Sequence, residues 1–342
     1  MQHRIVASFL VFALAACSDS HTDLGQDTSS SSSTGAGGQG GFGGTGAGGM
    51  GGAPPVEPDG PTALTLVNGV VDRPAIRVCL MDNPPSPLDD ALPLPPAQLA
   101  FAHSAPVDTA SLPSTSDVEI AVLAGDLGAV AGQKCRAIVD GPPIDGVDVI
   151  SLGVAPTSVF AAPRSLFLGV SGCIGAAPAS PTEAEQYCGP GAVPLAPFPL
   201  VSIGSFSRLA NADFPGIQVV NLSSGAKLDT YLKGPLDGAP DQLLASKVAI
   251  GQALPFPPYW LDVAALASVG GSTFRAVLST PGGGFKELLL VDAMTQGGLT
   301  VDDFGPADNV ALVAVGASPA IPTPAASMNA FTVVGVRVSG AD

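Results

Sequence analysis

Two short apolar stretches decide the fold that we expect from this sequence: Ser165–Gly172, SLFLGVSG, and Asn309–Gly316, NVALVAVG. Each has the length of a β-strand, is rich in aliphatic residues and ends at a glycine. Comparable stretches recur along the chain between Gly, Pro and Asp, at Ala63–Val71, Ala75–Met81, Val118–Leu123, Ile217–Leu222, Phe274–Leu278, Glu287–Val291 and Phe331–Val338. Many short strands with turn signals between them predict an all-β antiparallel sandwich.

Proline-rich connections leave little room for helices. Asn83–Pro87 and Leu92–Pro96 would interrupt a long helix, because proline lacks the amide hydrogen and clashes with the preceding turn. Ala239–Ala249 and Asp262–Ser268 are the only segments whose sequence allows a short helix. The expected fold class is therefore all-β.

The apolar stretches occur twice in the same order, at an offset of about 145–156 residues. The matched pairs are Leu66–Asn68 with Val219–Asn221, Ile76–Leu80 with Leu228–Leu232, Asp117–Val122 with Thr273–Leu278, and Ser165–Gly172 with Asn309–Gly316. This repeat predicts two β-sandwich domains, residues 62–206 and 207–342, with the boundary near Ser207–Phe214. Each predicted unit has an ordinary domain size.

The second unit carries a recognisable series of strand patterns. It opens with Ile217–Ser223, continues with Leu228–Leu232 (LDTYL), passes Ile250-Gly251 and Pro258-Tyr259, and closes with Val310–Gly316. This series resembles a widespread bacterial domain-of-unknown-function family of tandem immunoglobulin-like β-sandwiches in cell-envelope proteins. The resemblance implies two Ig-like sandwiches and carries over no activity, ligand or cofactor.

The first unit departs from that family pattern. Arg77 replaces the Asp of the second strand, Cys79 replaces its Tyr, and the unit has no Pro-Tyr pair. The patterns concern strands and not chemistry, so the resemblance implies architecture only.

Residues 1–16 are predicted to be a lipoprotein signal peptide. A basic start precedes Ile5–Ala16, an apolar run shorter than the roughly 20 residues that a membrane span needs. Leu14–Cys17 (LAAC) resembles the lipobox of bacterial lipoproteins, in which the cysteine is lipidated, so we assign lipidation to Cys17. The alternatives are an ordinary signal peptide with an incidental cysteine, or a core helix. Ser18, where Asp would favour inner-membrane retention, favours the outer membrane, although Asp19 follows.

Residues 17–61 are predicted to be a disordered tether. Ser29–Ser33 is a run of serine, and Gly35–Gly52 is dominated by glycine. Such a composition buries too little apolar area to offset the entropy of ordering it. As a flexible coil, the tether would reach about 35–40 Å.

Four cysteines remain besides Cys17, and all fall in the first unit: Cys79, Cys135, Cys173 and Cys188. An even number in an exported domain indicates two disulfides, with three possible pairings. We favour Cys173–Cys188, which closes a Pro/Gly-rich loop, together with Cys79–Cys135. Free thiols and a zinc site are the alternatives, and the absence of a C-x-x-C spacing weighs against zinc.

The net charge of the chain argues against nucleic acid and anionic lipid as partners. The chain has 13 Lys+Arg and 29 Asp+Glu, a net charge of −16, which repels the phosphates of nucleic acid and anionic lipid. A mean hydropathy of +0.40 excludes full disorder. We therefore expect membrane attachment through the N-terminal lipid anchor, no nucleic-acid partner, and an envelope or extracellular ligand.

Candidate catalytic and metal-binding groups are few. His103 is the one histidine beyond the predicted tether, no G-x-S-x-G elbow accompanies it, and Ser224-x-x-Lys227 lacks the other motifs of penicillin-recognising enzymes. Asp145–Asp148 and Asp302-Asp303 lack the spacing of a calcium loop. We expect no catalytic residue, metal or cofactor.

Tyr259 and Trp260 are the candidate ligand-binding residues, because Pro255–Trp260 (PFPPYW) groups two of the few Tyr and Trp residues. Core packing is the alternative for both. The leading hypothesis is a non-enzymatic, lipid-anchored envelope protein with structural, adhesive or ligand-binding roles. A carbohydrate-binding module and an exported hydrolase are the alternatives.

Overall fold

The structure is a computed structural model that describes residues 62–86, 91–108, 112, 116–161, 164–233, 241–261, 272–279, 283–300, 303, 305–321 and 324–338. The predicted signal peptide, Cys17 and the tether lie outside these residues, as does the helix expected at Asp262–Ser268. The predicted domain boundaries stay predictions.

Sixteen strands and four short helices make up the described chain. The strands are β1 (Ala63–Val70), β2 (Ala75–Asn83), β3 (Leu94–Ala100), β4 (Ser104–Val107), β5 (Asp117–Gly125), β6 (Val147–Ala155), β7 (Ser165–Cys173), β8 (Phe198–Phe206), β9 (Gly216–Ser223), β10 (Lys227–Lys233), β11 (Gln242–Ala249), β12 (Ala253–Trp260), β13 (Thr273–Leu278), β14 (Phe285–Leu289), β15 (Asn309–Gly316) and β16 (Thr332–Arg337). The helices are α1 (Cys135–Val139), α2 (Ser158–Ala161), α3 (Pro181–Cys188) and α4 (Leu290–Gln296).

The strands form two sandwiches of the same topology. In the first sandwich (β1–β8), sheet β4-β1-β7-β8 packs on sheet β3-β2-β5-β6; in the second (β9–β16), sheet β12-β9-β15-β16 packs on sheet β11-β10-β13-β14. The predicted all-β sandwich class is confirmed. The sheets are not wholly antiparallel, since β1 runs parallel to β7 and β9 runs parallel to β15.

Strand register tests the sequence repeat. Leu66 lies opposite Leu168 in the first sandwich, and Val219 lies opposite Leu312 in the second. The sequence repeat matches these residues in the same way, so the register agrees with the repeat for both strands. In the other sheet, Ile76 lies opposite Ala124 and Leu228 opposite Leu278. When Ile76 is matched with Leu228, the structural counterpart of Leu278 is therefore Ala124. The sequence match of Val122 with Leu278 is wrong by two residues. A two-residue shift keeps every side chain on its face, so the apolar pattern could not detect it.

A pair of buried asparagines marks the same position in both sandwiches. Asn68 Oδ1 accepts a hydrogen bond from Val70 N, and Asn221 Oδ1 accepts one from Ser223 N, both at 3.0 Å. Each Nδ2 donates to a carbonyl oxygen near the opposite sheet's edge strand, Leu99 O at 2.9 Å or Val248 O at 3.1 Å. Buried amides need such partners, and here they tie the two sheets of each sandwich together.

The helix expected at Ala239–Ala249 is wrong. Residues 242–249 form β11, which pairs with β10 and buries Leu244, Ala245 and Val248. Tertiary pairing overrides the weak helical preference of this short segment.

The four helices in the described residues all lie outside Ala239–Ala249 and Asp262–Ser268, so the expectation that only these two segments allow a short helix is wrong. Helix α3 begins with a local sequence signal for a helix N-terminus. Ser180 caps it by accepting from Glu183 N, and Pro181 stands at the first helical position.

A third apolar cluster lies between the sandwiches. Val67, Phe167 and Phe206 of the first sandwich are buried with Val220 and Leu222 of the second and with neighbouring residues of β15 and β16. The sandwiches therefore have separate internal cores and also share a packed junction.

Candidate functional site

The outward face of sheet β11-β10-β13-β14 is the first candidate site. Tyr231 of β10 lies opposite Leu243 of β11 and Arg275 of β13, and Arg275 lies opposite Glu287 of β14. Because side chains alternate along a strand, Leu228, Thr230 and Leu232 point into the core while Tyr231 points outward. We call the outward residues Tyr231, Leu243, Arg275, Phe285, Glu287 and Leu289 the open face.

The open face exposes apolar side chains that a soluble domain usually buries. Leu243, Phe285 and Leu289 are 48%, 53% and 45% exposed, and they are three of the seven large hydrophobic side chains exposed in the described residues. Leu243 lies on edge strand β11, and Phe285 and Leu289 lie on the opposite edge strand β14. The three side chains therefore do not form one contiguous patch, but they make this sheet face a candidate interaction surface.

Charged groups order the open face. Arg275 Nη1 lies 3.0 Å from Asp241 Oδ2, and its guanidinium carbon lies 4.7 Å from the ring centroid of Phe285. Glu287 Oε1 lies 3.6 Å from Arg275 Nε and 3.1 Å from Lys233 Nζ. These partly exposed pairs contribute little to stability, but they hold an arginine and an aromatic ring in one arrangement. Tyr, Phe and Arg are the residues enriched at protein interfaces.

The corresponding face of the first sandwich is covered by the chain itself. Cys79, Met81, Ala121 and Leu123 point outward from β2 and β5, yet all are buried. The cover segment, residues 126–146 between β5 and β6, packs Leu127, Val130, Cys135 and Ile138 onto them.

The two sandwiches differ here in one connection. Residues 126–146 join β5 to β6, whereas only residues 279–284 join β13 to β14. A disulfide from Cys135 to Cys79 fixes the cover segment, and the sequence repeat matches Cys79 with Tyr231. Among the described residues, the second sandwich therefore has no segment that covers this face. In the sequence, this difference is visible only as Cys79 in the first unit at the position of Tyr231 in the second. That difference alone does not show that the second face is exposed.

A cleft of about 170 Å³ at the junction of the sandwiches is the second candidate site. Arg164, Ser158 and Ser205 line it from the first sandwich, and Gln252 and Leu254 line it from the second. Sequence reasoning missed this cleft, because its residues are up to about 100 positions apart and share no motif.

The four cysteines form two disulfides in the pairing that we favoured. Cys79 pairs with Cys135 at a Cα–Cα distance of 5.6 Å, and Cys173 pairs with Cys188 at 5.0 Å. All four are buried. The second disulfide joins the end of β7 to the end of α3.

Tyr259 and Trp260 do not form an exposed aromatic platform. They are consecutive in β12, so their side chains point to opposite faces. Both are half-buried: Tyr259 packs against the core of the second sandwich, and a Cβ on Gly216 would lie 2.9 Å from Trp260 Cζ3. Their placement favours the packing alternative, and ligand binding by this pair stays a prediction.

His103 is exposed in the link between β3 and β4. Its exposed ring contacts Phe101 O at 2.8 Å and Gln296 Nε2 at 3.4 Å. Ser224, from the superficial Ser-x-x-Lys motif, donates its hydroxyl hydrogen to Tyr187 O in the link between β9 and β10. No Ser-His-Asp arrangement is assembled around His103 in the described part of the chain.

The acidic candidates serve turns and ion pairs. Asp148 Oδ2 lies 2.8 Å from Arg73 Nη2. Asp303 accepts hydrogen bonds from Thr300 N and Oγ1, and these bonds, with help from Arg337, lower the pKa of its carboxyl group. Asp302 lies outside the described residues, and those residues contain no group of three or more metal-ligating side chains.

Known proteins show only weak similarity to this chain. No protein-family model matches the chain, and no curated protein matches it. One solved structure, described as a candidate cell adhesion protein from Parabacteroides distasonis, is 11% identical, with a TM-score of 0.17 over 80% of this chain and 96% of its own. Among the residues that the structure describes, no helix has the length and apolarity of a membrane span.

Proposed function

We propose that this protein is a non-enzymatic, lipid-anchored envelope protein that binds a protein partner through the open face of its second sandwich. The observation that carries the proposal is the contrast between equivalent faces, one covered by residues 126–146 and one exposed. In the chain, the second sandwich follows the first, which in turn follows the predicted anchor at Cys17.

The first sandwich indicates what kind of partner suits the open face. Its cover segment is a peptide with aliphatic side chains, and Arg136 Nη1 pairs with Glu119 Oε2 at 2.7 Å at the edge of the covered face. A protein segment presenting aliphatic side chains, with charges that meet Arg275 and Glu287, fits the open face in the same way. Aromatic and arginine side chains that become buried on binding supply most of the affinity of such interfaces.

Exposed Phe285 is the first residue to test. Phe285→Ser in the soluble chain, lacking residues 1–17, should lower saturable binding to cells that lack this protein by about tenfold or more. Phe256→Ser is the matched control, because Phe256 is 52% exposed on β12, away from the open face. Binding is measured with the fluorescently labelled chain.

Treatment of the cells separates the partner classes. Protease treatment should abolish the binding, and periodate oxidation of glycans should leave it unchanged. Binding that is lost only after periodate would support the carbohydrate-binding alternative. Absence of saturable binding, or equal binding by wild type and Phe285→Ser, would contradict the proposal.

The anchor has its own test. Cys17→Ser should abolish incorporation of labelled fatty acid and release the protein from membranes, since two or more acyl chains make the attachment stable. Metabolic labelling and membrane fractionation measure both effects. Retention of unlabelled Cys17→Ser protein in the membrane fraction would show that another contact holds the chain.

A further inference from the structure

We propose that the junction cleft binds a small organic monocarboxylate, with Arg164 as the group that recognises the carboxylate. The cleft lies where edge strand β8 and helix α2 of the first sandwich meet residues 251–254 of the second. Ligand sites occur preferentially at such junctions, where two packed units leave a concave surface. This site is separate from the open face and does not depend on the function proposed for it.

The charge of the cleft is opposite to that of the chain. None of the twelve described residues that line it is Asp or Glu, although the chain has 29 acidic residues and only 13 Lys and Arg. Arg164 is exposed, and its guanidinium has no carboxylate or carbonyl partner among the described residues. An arginine without such a partner, in a cleft whose described lining has no acidic residue, attracts an anion.

Hydrogen-bond donors accompany the arginine. Ser158 and Ser205 line the cleft, and Gln252 Oε1 accepts from Ala249 N at 3.2 Å, which directs the oxygen to its own turn and leaves the Nε2 amide as a donor. A guanidinium fork matches a carboxylate in a bidentate arrangement, with hydroxyl and amide donors beside it.

The remaining lining is apolar and sets the size of the ligand. Val159, Leu166, Ile203 and Leu254 contribute aliphatic surface to a cleft of about 170 Å³. A cavity of roughly 150 Å³ accommodates benzene. A single ring or a short branched chain that carries one carboxylate fits this volume.

Two glycines of the lining, Gly204 and Gly251, lie where the sandwiches pack closely. A Cβ on Gly204 would lie 2.5 Å from Phe167 Cζ and 3.3 Å from Gly251 O. This contact joins β8 to the turn before β12, so a ligand in the cleft would touch both sandwiches. Binding should therefore also raise the midpoint of thermal unfolding.

Benzoate and isovalerate are the probes, with benzyl alcohol and isopentanol as neutral analogues. The soluble chain, lacking residues 1–17, should bind both acids with a Kd on the order of 1 mM, and the alcohols about tenfold more weakly or not at all. Ligand-detected NMR measures the binding, and amide shifts of Gly204 and Gly251 locate it.

Arg164→Gln should weaken binding of both acids by about tenfold or more. Arg337→Gln is the matched control, because Arg337 is also exposed but lies on β16 and pairs with Asp303. Ser205→Tyr should fill the cleft and block binding. Because Ser205 is exposed on β8, this change should leave the buried core unaltered. Absence of saturable binding, equal binding of acids and alcohols, or unchanged binding by Arg164→Gln would each overturn the proposal.

Discussion

Replacing Leu222 with alanine is expected to destabilise the protein by about 3–5 kcal/mol, because the side chain is fully buried in the junction between the sandwiches. Leu222 belongs to the second sandwich but fills the space above Gly169 of the first. A Cβ on Gly169 would lie 2.2 Å from Leu222 Cδ1 and 2.6 Å from Cδ2. The lost free energy of unfolding therefore has two parts, the transfer free energy of the removed atoms and the cost of a cavity that both sandwiches share.

The same contact gives a sharper test through a double-mutant cycle. Gly169→Ala alone should destabilise, since the new methyl group meets the branched end of Leu222. In the Leu222→Ala background the methyl group occupies part of the cavity, so the double variant should be more stable than the sum of the single changes predicts. Urea unfolding measures all four proteins.

Leu195→Ala is the control for this cycle, because Leu195 is 69% exposed and should change stability by less than about 0.5 kcal/mol. Strict additivity of the Gly169 and Leu222 changes would contradict direct packing of the two sandwiches at this contact.

Local patterns allowed much of the fold to be predicted. Strand periodicity and the match of Asn68 with Asn221 gave the class and the repeat, because each asparagine makes the same bonds within its own sandwich. The disulfide pairing followed from loop lengths and an even cysteine count. These features depend on residues that are close in sequence or chemically distinctive.

The junction and the candidate sites depend on longer-range packing. Val67 and Val220 matched in the repeat, but nothing local showed that both point into one shared cluster. The open face was hidden because Tyr231, Arg275 and Phe285 each fit an ordinary strand pattern. Arg164 follows Pro163 in an unremarkable link, and only the approach of residues 251–254 makes it part of a cleft.

The two disulfides lie in different surroundings, so their loss should affect different parts of the protein. The number of cysteines in the sequence does not show this difference. Cys173 and Cys188 are buried with Ala317 and Ile321 of the second sandwich, so their loss should disturb both sandwiches. Among the described residues, Cys79 and Cys135 are buried only with residues of the cover segment and the first sandwich. Reduction of the whole chain therefore mixes the two effects, and a selective variant is required.

Removing the Cys79–Cys135 disulfide with the double change Cys79→Ala and Cys135→Ala is expected to cost about 4 kcal/mol, from the chain entropy of a loop with 56 residues of separation. That corresponds to a fall of about 8–16 °C in the unfolding midpoint. Helix α1 has five residues and no side-chain N-cap bond, so it cannot hold the cover segment alone. Hydrogen exchange should rise across residues 126–146 and stay unchanged in β10 and β13. Unchanged exchange in the cover segment would show that Arg136, paired with Glu119, and apolar packing suffice to keep the first sandwich covered.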